Sequence, residues 1–184
     1  MAYKDKLGRS VRASGNNPKN VLNTAVKLLS IRQHSVKELG AKLALKGFDA
    51  AEIEKTVAYL LDANYLDDAK YAAALTGARA IHKHWGPAKI RAELSAKGVS
   101  PEIIKTAVSG QFGGAGAGEA DAGEIPPFAR AALEKWLKKK ALNLPLDKKN
   151  LARAIRFLIS RGFSTAAAMT AAGGRISSYI SDGE

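Results

Sequence analysis

A short phrase recurs three times in this chain: a lysine or arginine, a glycine, an apolar residue and a helix-capping residue. It reads Lys46-Gly47-Phe48-Asp49, Lys97-Gly98-Val99-Ser100 and Arg161-Gly162-Phe163-Ser164. The surroundings repeat in register. Leu43, Leu94 and Leu158 stand four residues before the glycines, and Leu39, Ile90 and Ala154 stand eight before. Glycine accepts the left-handed backbone that ends a helix, and the Asp or Ser beyond it caps the next one. Each phrase is therefore a joint between two helices, with Gly47, Gly98 and Gly162 as its structural residues. Three joints imply three copies of one unit.

No stretch alternates with a period of two, so the expected fold class is all-α. It consists of three tandem three-helix repeats in an elongated, modular arrangement. Residues 1–17 read as a disordered basic arm. Repeat 1 covers 18–66, opening on Asn17-Pro18 with an apolar stripe of Leu22, Ala25, Val26 and Leu29. Ser35 opens its second helix, and Asp49-Ala50-Ala51-Glu52 is a capping box for its third. Repeat 2 covers 67–109, with Tyr71, Leu75, Ala78, His82 and Trp85 on one face of its first helix. Six glycines, three acids and Pro126-Pro127 make 110–127 a Gly-rich linker, expected to weaken the coupling of the repeats it joins. Repeat 3 covers 128–173, and 174–184 is a tail.

Composition narrows the function. The chain has no cysteine, which removes disulfides, thiolate metal sites and cysteine nucleophiles. No apolar run is long enough to span a bilayer and the N-terminus has no apolar core of a secretory signal, so a cytoplasmic protein without membrane contact is expected. The formal net charge of +12 points to a polyanionic partner. That charge is concentrated. Between Phe128 and Arg161 there are ten lysines and arginines against two acids, Glu134 and Asp147. Lys149, Arg153 and Arg156 share one helix face opposite Leu151, Ile155 and Leu158, while Lys135, Lys138 and Lys139 cluster on the preceding helix. Such a stripe is often only a solvated face, but uncompensated like charges repel, and their density favours a polyanion site. Its residues are Lys135, Lys138, Lys139, Lys148, Lys149, Arg153, Arg156 and Arg161.

Other candidates favour the structural reading. His34, His82 and His84 lack acids at ligand spacing, and His82 falls on the apolar face, so no metal site is expected. Asp67-Asp68 at a helix start suits capping better than acid–base work. Trp85 and Trp136 are spaced with other apolar residues, as core packing would place them. Gly113-Gly114-Ala115-Gly116 lacks the lysine of a phosphate loop. No catalytic constellation and no cofactor motif emerges, and the chain is read as a non-enzyme.

Several spaced motifs carry a resemblance. Leu28-Leu29-Ser30-Ile31-Arg32-Gln33-His34-Ser35 with Glu38-Leu39, then Asn64-Tyr65-Leu66-Asp67-Asp68 with Tyr71-Ala72 and Arg79, come in order. Gly86, Ile90, Glu93-Leu94 and Lys97-Gly98 follow, and Arg161-Gly162-Phe163-Ser164 closes the set. Over about residues 20–172 the chain resembles the RecX family, regulators of the RecA recombinase. It departs from the family's pattern in Asn64, where glycine is usual, and in the long glycine-rich segment. The resemblance implies tandem three-helix repeats and binding along the groove of the RecA–DNA filament. It also implies inhibition of RecA's recombinase, ATPase and coprotease activities in homologous recombination, DNA repair and the SOS response. The implied partners are the RecA filament and, more weakly, single- or double-stranded DNA, with the protein acting as a monomer. The residues alone leave a helix-turn-helix DNA-binding module unrelated to RecA as the rival, although Asp49, Glu52 and Glu102 would repel phosphate at two helix starts. A passive helical scaffold is the third reading.

Overall fold

The computed structural model describes residues 3–4, 10–11, 18–113, 127–142 and 146–173. Most of the basic arm, the linker between 114 and 126 and the tail from 174 lie outside the described residues. Helices dominate: α1 (Pro18–Ile31), α2 (Val36–Leu45) and α3 (Ala50–Asp62) are followed by α4 (Asp68–Lys83), α5 (Pro87–Ala96) and α6 (Pro101–Phe112). Then come α7 (Pro127–Lys140), α8 (Lys148–Ser160) and α9 (Thr165–Ala171). One detail departs from the expected disordered arm. Two-residue strands β1 (Tyr3–Lys4) and β2 (Ser10–Val11) pair antiparallel with Tyr3 opposite Val11, residues of high strand propensity.

The recurring phrase has a physical explanation at the helix ends. Gly47, Gly98 and Gly162 have φ of 86°, 78° and 93°. At two of them the hydrogen bonds are those of a Schellman motif: Gly47 N–H donates to Ala44 O and Phe48 N–H to Leu43 O, and Gly162 and Phe163 do the same to Ile159 and Leu158. The leucine four before the glycine is thus the residue whose carbonyl takes the closing bond. Its side chain is buried in every copy, as are Leu39, Ile90 and Ala154. Asp49, Ser100 and Ser164 then cap α3, α6 and α9 through their side-chain oxygens. Asn64, at φ 57°, ends α3 by the same bonds, with Tyr65 N–H on Leu60 O.

The chain divides into two compact units, Met1–Tyr71 with Lys97–Val99, and Ala72–Ala96 with Ser100–Glu184. In the first, Val21, Ala25, Leu39, Leu43, Leu60 and Leu66 form the core. Val26, expected on the apolar stripe of α1, is 42% exposed. A carboxylate hub lies at the start of α2. Ser35 accepts from Glu38 N–H, but the Glu38 carboxylate turns away to Arg32 (2.6 Å) and Lys97 (3.0 Å), with His34 Nδ1 at 3.3 Å. Burial pushes this carboxyl up, yet the hydrogen bonds from Arg32 and Lys97, with the His34 ring close by, outweigh it and hold the pKa at about 2. Ser35 Oγ also donates to Lys97 O at 2.6 Å, and Asp68 accepts from Val36 N–H. Asp67, next to it, caps α4.

In the second unit, α4 packs differently from the expectation. Tyr71 is buried and Leu75 partly so, as expected, but Ala78 and His82 are exposed, and the other buried side chains are Ala72, Thr76 and Ala80. Ala72, Thr76 and Ala80 lie four residues apart on one side of the helix, and that side is turned inward. Arg79 reaches Glu93 on α5 through two bonds of 2.6 and 2.7 Å. α6 runs to Phe112, three residues into the expected linker, because Phe112 meets the Phe128 ring of α7 edge-on at 5.0 Å. Ala129, Leu133, Leu137, Ala154, Leu158 and Phe163 anchor the core of the third repeat.

A backbone seam joins the second and third repeats. Gly86 N–H donates to Arg161 O at 2.7 Å and Ala88 N–H to Gly162 O at 3.1 Å. A Cβ on Gly86 would lie 2.5 Å from the Gly162 backbone, and one on Gly162 would lie 2.5 Å from Lys89 N. The joint of repeat 3 is therefore docked on the first turn of α5. Lys97-Gly98 meets the first turn of α2 in the corresponding way, through Ser35, Lys37 and Glu38. Around Gly47 an added Cβ would meet nothing within 4 Å.

Candidate functional site

The basic residues of repeat 3 have two distinct settings. On α8 the apolar side packs inward through Ala154 and Leu158, which leaves Lys148, Lys149, Arg153 and Arg156 exposed on the outside. Asp147 caps this helix by accepting from Asn150 N–H, and Arg153 reaches the Asn150 side chain. Lys148 and Lys149 stand in its first turn, where the macrodipole disfavours positive charge and the one acid at this helix end is the capping Asp147. Lys138, Lys139 and Lys140, by contrast, occupy the last turn of α7, where cations are favoured. Among the described residues none of the eight candidate cations is ion-paired with a carboxylate.

The second setting is a groove of about 570 Å³ in the unit built from repeats 2 and 3. Lys135, Lys139 and Lys140 from α7 line it with Arg161 from the docked joint. The end of α4 adds His82, Lys83 and His84, and the apolar lining is Ala132, Trp136 and Phe157. Trp136 and Phe157 stack with centroids 5.8 Å apart and planes at 26°. Arg161 lies over the Phe157 ring at 5.1 Å and donates to Lys83 O, so its guanidinium is held in place. His84 takes φ 51°, a left-handed turn that histidine tolerates better than most residues. Its pKa is lowered, first by burial and then by the positive charges of Lys135, Arg161 and His82. No carboxylate is among the lining residues.

Of the residues singled out in the sequence, the groove brings together Lys135, Lys139 and Arg161. Lys138, Lys148, Lys149, Arg153 and Arg156 do not line it. Sequence reasoning missed His82, Lys83, His84, Trp136 and Phe157 as parts of one site. Trp136, read as core, is only half-buried. The signal that could have found the site is Gly86, a glycine at the start of a helix, which marks the close backbone approach that brings α4 to α8.

Comparison with known proteins agrees with this architecture. Residues 22–60 match the family description "RecX, first three-helix domain" and residues 67–108 match "RecX, second three-helix domain". A regulatory protein RecX of Vibrio parahaemolyticus is 35% identical over 140 residues, 76% of this chain and 81% of its own length. That of Chlorobaculum tepidum is 36% identical over 144 residues, 78% of this chain and 81% of its own. The crystal structure of RecX from Lactobacillus salivarius superposes with a TM-score of 0.67 at 20% identity, covering 84% of this chain and 93% of the other. Among the described residues no helix is long and apolar enough to cross a membrane. With two three-helix domains matched by the family descriptions and most of its length by these relatives, the chain belongs to the RecX family of regulatory proteins.

Proposed function

We propose that this protein binds the RecA–DNA filament and mainly inhibits the recombinase, ATPase and coprotease activities of RecA. It acts in the cytoplasm, as a monomer, with weaker direct contact to single- or double-stranded DNA. The observation that carries the reading is the unpaired cationic surface of repeat 3. Lys148 and Lys149 sit where the helix dipole penalises them, and Arg153 and Arg156 extend the same face, so a bound polyanion gives these charges a purpose that folding does not.

RecA's single-strand-dependent ATP hydrolysis tests it. The purified protein should lower the rate at well below one molecule per RecA protomer. Unchanged hydrolysis at equimolar protein would defeat the reading. Changing Lys149, Arg153 and Arg156 together to glutamate should weaken filament binding and flatten its salt dependence, by about one log–log unit per lost phosphate contact. Glutamate at Lys42 and Lys55 of repeat 1 is the matched control and should matter less.

A further inference from the structure

We infer that the groove between the end of α4, α7 and α8 is a nucleotide site, with the base against Trp136 and the phosphates on Lys135, Lys139 and Arg161. Its volume of about 570 Å³ fits a ligand of that size. The combination of linings selects the class. Inorganic phosphate would need the cations but not the rings, and an apolar ligand would need the rings but not the cations. A nucleotide uses both, since every base has a face that stacks on an aromatic side chain. The rings are also placed for it. Trp136 and Phe157 are both half-buried and stack on each other beside the cations, with Arg161 fixed over Phe157 by its bond to Lys83 O. The site exists only because the seam at Gly86 and Gly162 brings His82–His84 up to α7 and α8.

The inference deepens the direct DNA contact proposed above. Its test omits RecA, so it and the filament reading can fail separately. The full chain carrying Trp85→Phe leaves Trp136 as the one indole. It is titrated with a short oligothymidylate, a base-free deoxyribose-phosphate oligomer of equal length, ATP, and an oligoglutamate peptide. Oligothymidylate should quench Trp136 and bind about tenfold more tightly than the base-free oligomer. Quenching by the oligomer alone assigns the site to a nucleotide within a strand, and quenching by ATP as well extends it to free nucleotides. In the otherwise unchanged chain, Lys135→Gln with Lys139→Gln, both exposed, should weaken oligothymidylate binding by about tenfold or more at low salt. No quenching by either nucleotide ligand, equal affinity for the base-free oligomer or for oligoglutamate, or unchanged binding by the lysine pair variant would each overturn the assignment.

Discussion

The joints at Gly47 and Gly162 are nearly the same in sequence and the same in local geometry, yet they do different work. Both close a helix through a Schellman motif at φ 86° and 93°. An added Cβ at Gly47 would meet nothing, whereas at Gly162 it would meet the backbone of Lys89. One glycine answers a conformational demand. The other answers that demand and a steric one. A motif in a repeat protein thus states what the chain does locally, and only its neighbours decide whether it is also a docking surface.

Stability measurements sharpen this contrast. Gly162→Ala and Gly86→Ala should be the most damaging, each lowering stability by about 2–4 kcal/mol, because backbone must move to admit the methyl group. Their double variant should fall short of the sum, since both break one seam. Equal denaturation midpoints for Gly162→Ala and Gly47→Ala would erase the distinction.

Glu38→Gln comes next, at about 2 kcal/mol, because Arg32 and Lys97 lose a charged acceptor. Here pH adds a second check. The folded pKa of about 2 lies below the ordinary 4.5, so the unfolded chain binds the proton first as pH falls. The stabilisation is complete above pH 4.5 and is lost towards pH 2, and the gap between wild type and Glu38→Gln should close over that window. A gap that stayed constant would remove the hub from the account of unit 1.

Gly98→Ala should cost about 1–3 kcal/mol, because the added Cβ would lie 2.7 Å from Lys37 Cβ, which its backbone holds, and Gly47→Ala about 1 kcal/mol, the conformational part alone. The smallest effect belongs to the glutamate triple at Lys149, Arg153 and Arg156. All three are exposed, so thermal unfolding should shift by no more than about 0.5 kcal/mol, while filament affinity falls. A large loss of stability would show that the face is structural.

Much of the fold was legible because its signals are local. Caps, helix ends and the leucines at fixed distance from each glycine need only neighbours in sequence. The candidate site was half legible. Charge density singled out α7 and α8, but Lys135, Lys139 and Arg161 meet His82–His84 only through a contact between residues 76 apart in the chain, Gly86 and Gly162. His82 was misplaced for a related reason. Helical spacing records which residues share a face, not which face the next repeat covers, and on α4 the small residues Ala72, Thr76 and Ala80 took the interior.

The seam at Gly86 and Gly162 has a consequence for how such a chain can drift. Its adhesive atoms are amides and carbonyls, which every residue except proline supplies in full, so substitution can rewrite the surrounding side chains without removing a single bond of the seam. The two glycines alone are held, since any side chain would pry the strands of backbone apart. A joint of this kind lets the surface around it change while the fold stays.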